Sequence, residues 1–315
     1  FKQKTAYEIG VRLVGSEMCI RDRSSPLARW QAEAVARRLA TSDHHIEFLT
    51  VNTEGDQDQT RQIHEMSGQG VFVKEVQRAV LDGRADVAVH SAKDLMSTPT
   101  AGLNLAGFLE RGDPRDALIG TDLERLPQGA TIATGSVRRR SQLAYLRPDL
   151  TFIGLRGNIS TRVAAAERDN VDAVVVALAA LQRLELADSV AYVFGLEEMV
   201  PQVGQGAIAF ECREDDSASV EQLQGITDAP TRLCVEAERA YLAKLGGGCE
   251  LPVGAHAFIK DGVIQLEAVL ASADGSTVLR TRQWSEDSVA LGKAVAEELL
   301  GKGGDALLAR SGGNR

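Results

Sequence analysis

The chain has 315 residues, of which 44% are hydrophobic and 25% charged, proportions typical of a globular protein with two or three domains. Its net charge of −9, from 35 Lys and Arg against 44 Asp and Glu, argues against a broad surface for nucleic acid or acidic membranes. The sequence has no apolar run of about eighteen residues, and its four cysteines lack zinc spacing. We therefore expect no membrane span, no metal site and reduced thiols in a cytoplasmic protein.

The first 23 residues show no helical or strand period, so we exclude them from the fold as non-native. A helix is predicted from Pro26 to about Ala40, with Ser24 or Ser25 as its cap. The next segments are predicted to be a strand, a long functional loop and a helix: Glu47–Asn52, 53–70 and Val71–Leu81.

A short apolar run, Ala85–His90, predicts a strand that ends directly before Ser91, Lys93 and Asp94. Ligands of open α/β sheets bind beyond the carboxyl ends of the strands, so a hydroxyl, a cation and a carboxylate here indicate a site. The alternative is an ordinary solvated turn, and this stretch alone does not decide between the two.

A second α/β unit repeats the pattern of strands that end beside basic residues. Its predicted strands are Thr131–Ala133, Thr151–Leu155 and Asp172–Ala177, and a helix is predicted from Val137 to Leu146. The strand ends and following helices carry five arginines: Arg138, Arg139, Arg156, Arg162 and Arg183. Together they predict a cleft for a ligand with several carboxylates or phosphates, although the run at 138–140 could also be a solubilising surface.

The rest of the chain is predicted to return to the first sheet and then to form a small α+β domain. The return is the strand Val203–Cys212, whose Gly204 and Gly206 lack the context of a dinucleotide-binding loop, so we reject NAD and ATP. A helix, Thr231–Leu245, precedes three strands and a last helix near Glu286–Leu300. Cys249 follows three glycines, which would expose its thiol to a ligand, although a passive loop cysteine is the alternative.

Six motifs follow one another along the chain: His90-Ser-Ala-Lys-Asp-Leu, Glu110-Arg-Gly-Asp-Pro-Arg-Asp, Gly135-Ser-Val-Arg-Arg, Leu155-Arg-Gly-Asn-Ile-Ser-Thr-Arg, Val203-Gly-Gln-Gly-Ala and Gly247-Gly-Cys. Together they resemble the porphobilinogen deaminase family, also called hydroxymethylbilane synthases. The resemblance implies two α/β domains similar to type II periplasmic binding proteins, joined by a double crossover, plus a C-terminal α+β domain. We expect domain 1 at 1–109 and 207–224, domain 2 at 115–200 and domain 3 at 229–315.

The resemblance also implies a transferase that joins four porphobilinogen molecules head to tail with loss of ammonia, for tetrapyrrole biosynthesis. Its dipyrromethane cofactor would be covalently attached to Cys249, and Asp94 would be the catalytic acid/base. The other cofactor-binding residues implied are Lys93, Ser91, Thr134, Ser136, Arg138, Arg139, Arg156 and Arg162. The substrate-binding residues implied are Arg23, Ser25, Arg183, Arg139 and Arg156.

Two other classes of protein share parts of this pattern. A non-catalytic binding protein for an anionic ligand would have the cleft and the arginines, but it needs neither Asp94 nor Cys249. A nucleic-acid binder would use Arg138–Arg140 on phosphates, but the sequence lacks interleaved aromatics, at 4% overall. We expect porphobilinogen as the partner, no nucleic acid, no membrane and a monomer.

Overall fold

The structure is a computed structural model that describes residues 17–23, 25–40, 45–51, 71–247 and 251–312. The strands are β1 (Glu17–Arg23), β2 (His45–Val51), β3 (Val87–Ser91), β4 (Leu103–Phe108), β5 (Asp116–Gly120), β6 (Thr131–Ala133), β7 (Thr151–Ile153), β8 (Ala173–Ala177), β9 (Val190–Val193), β10 (Ile208–Arg213), β11 (Val253–Lys260), β12 (Val263–Ala271) and β13 (Val278–Ser285). The helices are α1 (Pro26–Leu39), α2 (Val71–Leu81), α3 (Val137–Leu146), α4 (Ile159–Ala164), α5 (Leu178–Arg183), α6 (Ser217–Gly225), α7 (Ala229–Lys244), α8 (Ser288–Leu299) and α9 (Asp305–Gly312).

Domain 1 is built on a five-stranded sheet with the order β2-β1-β3-β10-β4. Strand β1 is parallel to both β2 and β3, whereas β10 is antiparallel to β3 and β4. Helix α1 begins at Pro26, and its cap Ser25 accepts a hydrogen bond from the backbone N–H of Ala28 at 3.2 Å, as the sequence predicted. Its buried face, which includes Val35 and Leu39, packs on this sheet.

Strand β1 corrects the expectation that the first 23 residues stand outside the fold. Glu17–Arg23 pairs with both neighbouring strands inside the sheet, and the side chains of Met18 and Ile20 are buried against α1. Two apolar residues two positions apart are enough to provide one buried face, because strand side chains alternate. Residues 1–16 and the predicted loop 53–70 lie outside the described residues.

Domain 2 repeats the topology of domain 1. Its sheet has the order β7-β6-β8-β5-β9, in which β6, β7 and β8 are parallel and β5 is antiparallel to β8 and β9. In each sheet the fourth position is occupied by the strand that follows a crossing from the other domain, β10 in one and β5 in the other. The described strands therefore form two α/β domains of matching topology joined by a double crossover.

The C-terminal domain 3 is the predicted α+β unit. Its antiparallel sheet β11-β12-β13 is covered by α7 and α8, and the core includes Tyr241, Leu266 and Val295. Asp261 and Gly262 adopt positive φ at the first of its two turns, as an Asp-Gly hairpin requires. Within the described part of the chain, no helix combines the length and the apolar composition needed to cross a membrane.

The predicted return strand at Val203–Cys212 is wrong at its start, since β10 begins only at Ile208. Gly204 and Gly206 have φ of +72° and +87°, so the preceding residues form a tight turn. A Cβ on Gly206 would lie 2.5 Å from the carbonyl oxygen of Gly112. The two crossings between domains 1 and 2 therefore run against each other at these glycines.

We predict that Ile20→Ala lowers the stability of the protein, because Ile20 is fully buried on an interior strand of the first sheet. A buried Ile→Ala change costs about 2–5 kcal/mol, which a lower midpoint of thermal unfolding would report. Phe48→Ala is the control, since Phe48 pairs with Ile20 in register but is 47% exposed. Equal unfolding midpoints for the two variants would contradict the position of β1 inside the sheet.

Candidate functional site

The segment that follows β3 lies where all three domains meet. A single 3-10 turn, Ala92–Asp94, continues from Ser91. Gln202 Nε2 donates to the carbonyl oxygen of Lys93 at 3.2 Å, and Arg239 Nη2 donates to that of Met96 at 2.7 Å. Ser97 Oγ donates to the carbonyl oxygen of Gly247 at 3.1 Å. The backbone around Asp94 is therefore bonded to the second crossing and to domain 3.

Arg138 and Arg139 lie in the first turn of α3 and share one buried carboxylate, Asp116 at the start of β5. Arg138 Nη2 lies 2.8 Å from Asp116 Oδ2, and Arg139 Nη2 lies 2.7 Å from Asp116 Oδ1. Both arginines also donate to carbonyl oxygens, that of Val200 at 2.8 Å and that of Val175 at 2.9 Å. Their side chains are almost entirely buried, so the alternative of a solubilising surface run is wrong for these two residues and fits only the exposed Arg140.

Gln205 connects this cluster to Lys93. Its Nε2 donates to Asp116 Oδ1 at 2.9 Å and to the carbonyl oxygen of Pro114 at 2.7 Å, while Lys93 Nζ donates to its Oε1 at 3.5 Å. The Gly204-Gln205-Gly206 turn therefore contributes to an anion site through its central glutamine, as a hydrogen-bond bridge between a carboxylate and a cation.

The electrostatics of the cluster favour an incoming anion. Burial would raise the pKa of Asp116, but Arg138 and Arg139 outweigh it and hold the pKa at about 2. Burial lowers the pKa of Lys93 to about 8, and Arg139 acts in the same direction against the opposing effect of Asp94. Two carboxylates, Asp116 and Asp94, thus face three cations, Arg138, Arg139 and Lys93, in a region of low dielectric, which leaves an excess of positive charge.

Arg162 and Arg156 extend this positive region. Burial and the charge of Arg139 lower the pKa of Arg162 to about 10, whereas Asp94 acts to raise it, so these three side chains interact electrostatically. Arg162 Nε donates to the carbonyl oxygen of Gly157 at 2.9 Å, which fixes the side chain at the start of α4. Arg156 also lowers the pKa of Arg162 and therefore belongs to the same electrostatic cluster.

The predicted hydroxyl ligands make local hydrogen bonds at the ends of strands and helices. Ser91 Oγ pairs with the side-chain amide of Gln31, whose Nε2 lies 2.8 Å away. Thr134 Oγ1 accepts from the N–H of Ser136 at 3.2 Å, and Ser136 Oγ accepts from that of Arg139 at 3.4 Å. Ser25 caps α1. Each hydroxyl is thus held in position and still has a second lone pair or proton for a ligand.

Three predicted site residues are not seen in this cluster, each for a different reason. Arg183 lies at the end of α5, where its Nη2 donates to the carbonyl oxygen of Gly206 at 2.6 Å. Arg23 is the last residue of β1, and only its backbone lies within the described coordinates. Cys249 lies outside the described residues.

A small cleft with a volume of about 20 Å³, space for about one water molecule, lies between the domains. Domain 1 and domain 2 line it with polar groups, among them Lys93, Ser136 and Arg138, whereas domain 3 contributes Leu242, Leu251 and Val253. The lining is therefore polar and cationic on the side of domains 1 and 2 and apolar on the side of domain 3. Among the described residues, no group of three or more His, Cys, Asp or Glu side chains could hold a metal ion.

Asp116 and Gln205 are the functional residues that the sequence did not identify. Both stand inside motifs that carried the resemblance, but Asp116 is the last residue of its motif and was given no role, and Gln205 lies between two discounted glycines. A buried carboxylate has no sequence signal of its own unless its partners are known, and here the partners are more than twenty positions away. Fold and site together define an α/β protein with a cationic cleft between two doubly connected domains.

Comparison with known proteins identifies the family. The family description "Porphobilinogen deaminase, dipyromethane cofactor binding domain" matches residues 18–221, and "Porphobilinogen deaminase, C-terminal domain" matches residues 232–301. A porphobilinogen deaminase of Syntrophotalea carbinolica is 40% identical over 93% of this chain and 96% of its own length. One from Coxiella burnetii is 41% identical over 91% of this chain and 95% of its own. The chain belongs to the porphobilinogen deaminase family.

Solved structures overlay on this chain more loosely. The methionine binding protein MetQ aligns over 67% of this chain and 89% of its own, with a TM-score of 0.42 and 13% identity. A YaeC-family lipoprotein of Enterococcus faecalis aligns over 74% and 98%, with a TM-score of 0.39 and 14% identity.

We predict that Asp116→Asn destabilises the protein by about 3–5 kcal/mol, the usual effect of removing one partner from a buried ion pair. The change leaves Arg138 and Arg139 without a counter-charge, and thermal unfolding measures the loss. Asp149→Asn is the control, because Asp149 also pairs with an arginine of domain 2, Arg147, but its side chain is 27% exposed. Similar unfolding midpoints for both variants would contradict the importance of burial.

Proposed function

We propose that the chain condenses four porphobilinogen molecules head to tail into hydroxymethylbilane, with release of one ammonia at each step. Membership of the family supports the activity, and the cationic cleft beside Asp94 is the observation that supports the site. Each porphobilinogen carries two carboxylates, so a growing chain of pyrroles needs several cations along its path. The alternative, a non-catalytic binding protein for an anionic ligand, explains neither Asp94 nor Cys249.

A dipyrromethane cofactor fits the residues that line the cleft. Its carboxylates would be bound by Lys93, Arg138, Arg139, Arg156 and Arg162, with hydrogen bonds from Ser91, Thr134 and Ser136. Asp116 offsets only part of the positive charge of Arg138 and Arg139. Apolar Leu242 and Leu251 would cover the rings. When bound, the cofactor supplies the pyrrole carbon to which the first substrate is joined.

Cys249 is the residue that we propose holds the cofactor covalently. Gly247 bonds to Ser97 beside the Asp94 turn, and Leu251 lines the cleft, so the described residues on both sides of Cys249 border the site. A thiolate attacks carbon far better than a hydroxyl does at neutral pH, which suits cysteine for this attachment.

Asp94 is the proposed acid/base. In each step the bond between the methylene carbon and the amine nitrogen of porphobilinogen breaks, and ammonia leaves. Positive charge develops on the pyrrole ring, where a carboxylate beside the ring N–H stabilises it. The methylene carbon that lost ammonia then bonds to a pyrrole carbon of the growing chain, and that pyrrole carbon loses its proton. Asp94 can accept a proton at one step and donate it at another.

The incoming substrate is the proposed ligand of Arg23, Ser25 and Arg183, together with Arg139 and Arg156. The domain limits 1–109 with 207–224, 115–200 and 229–315 are likewise our proposal, and each contains one of the three sheets. A cytoplasmic location, a monomeric state and the absence of nucleic-acid binding stay predictions.

We predict that Cys249→Ser protein lacks a covalent dipyrrole and has no activity. Intact mass spectrometry and the colour reaction with Ehrlich's reagent detect the cofactor in the purified protein. Cys234→Ala is the matched control, because Cys234 is buried in domain 3 and its burial raises the pKa of the thiol to about 11. An added mass on Cys249→Ser would reject the attachment site, and wild-type protein without cofactor or ammonia release would favour the binding-protein alternative.

We predict that Asp94→Asn folds and retains the cofactor, but turns over about 10²- to 10⁴-fold more slowly, the usual loss for a positioned acid/base. The amide keeps the shape of the side chain but has neither the charge nor the transferable proton. Single-turnover consumption of porphobilinogen by cofactor-loaded protein measures the effect. Asp169→Asn, at an exposed carboxylate of domain 2, should leave the rate unchanged. A rate for Asp94→Asn close to that of this control would reject the mechanism.

A further inference from the structure

Trp30 in α1 lies against Arg183 in α5, so an aromatic ring of domain 1 contacts a cation of domain 2. The Arg183 Cζ atom lies 5.4 Å from the centroid of the indole ring, within the range of a cation–π interaction. Arg37 lies two turns further along α1, and its Cζ atom is 5.8 Å from the same centroid. The two arginines therefore share one ring, but only Arg183 comes from the opposite domain.

Arg183 has neutral partners in the part of the chain that the structure describes. Its Nη2 atom donates to the carbonyl oxygen of Gly206 and lies 3.3 Å from the position that a Cβ on Gly112 would occupy. No carboxylate of a described residue forms an ion pair with it, and burial lowers the pKa of its guanidinium to about 10. Arg183 is thus a half-buried cation beside both domain crossings.

The contrast with Arg138 and Arg139 shows what an aromatic partner provides. Asp116 fixes those two arginines but also offsets part of their charge. An indole face attracts a guanidinium through its quadrupole and restricts its orientation, while the full positive charge remains available to a ligand.

We propose that Trp30 is a positioning residue for substrate binding: its ring holds the Arg183 guanidinium at the domain boundary in the orientation that receives a carboxylate of porphobilinogen. This inference rests on the proposed substrate role of Arg183. Because the ring and the cation belong to different domains, their contact also requires the relative arrangement of domains 1 and 2 that the structure has.

The test compares steady-state kinetics of cofactor-loaded variants at position 30. Trp30→Leu should raise KM for porphobilinogen about threefold to thirtyfold, the span of a cation–π interaction from exposed to desolvated, with kcat nearly unchanged. Trp30→Phe keeps an aromatic face and should recover part of the loss. Arg37→Leu removes the other guanidinium from the same ring and should leave KM unchanged. A purely structural role would instead lower the unfolding temperature and the cofactor content of Trp30→Leu without a rise in KM.

A double-mutant comparison separates this inference from the proposed role of Arg183. If Trp30 acts through Arg183, the KM of Trp30→Leu/Arg183→Leu should equal that of Arg183→Leu alone. If the double substitution instead raises KM by the product of the two single effects, the inference is overturned. A raised KM in Arg183→Leu but not in Trp30→Leu would reject the positioning role alone, whereas an unchanged KM in Arg183→Leu would reject the substrate role of Arg183 and with it this inference.

Discussion

The binding cleft depends on one buried carboxylate. Asp116 accepts hydrogen bonds from Arg139 and Gln205 and forms an ion pair with Arg138. Two buried guanidinium groups in the first turn of α3 would be unfavourable without it, since a helix N-terminus repels cations. The negative charge of Asp116 stabilises the two arginines. Because it offsets only one of their two positive charges, the region still attracts anions. Since Lys93 joins the same network through Gln205, domain 1 and domain 2 contribute to a single field.

A second buried carboxylate holds domain 3 against the crossings. Glu238 is fully buried in α7, and its Oε1 lies 2.5 Å from Arg111 Nη1 on the first crossing. Its Oε2 accepts from the N–H of Gly204 at 2.7 Å on the second crossing, and its Oε1 also accepts from the N–H of Ala257 in β11. Because one side chain bonds to both crossings and to the third sheet, the domain that carries Cys249 has a defined position relative to Asp94.

Much of the fold was predictable because its signals are local. Helix α1 begins where a serine cap and a proline stand together, and the Asp-Gly pair of domain 3 falls at a hairpin turn. The errors have local causes as well: β1 has only two buried apolar side chains, Met18 and Ile20, within the described part of the strand, too few for a convincing period. The apolar run at 203–207 forms a turn because glycine permits positive φ there.

The sequence by itself determined the family and the order of the elements, because six short motifs keep their chemistry and their order, and it proposed most of the residues assigned to the site. Only the tertiary structure decided which charges meet. Asp116 and Arg139 are twenty-three positions apart and Trp30 and Arg183 are farther still, so no periodicity or local spacing reports their contact. The tertiary structure also distinguished Arg138 and Arg139, whose charge Asp116 partly offsets, from Arg183, whose guanidinium lies against an aromatic ring. Coulombic interaction depends on distance and burial, and both are properties of the folded chain.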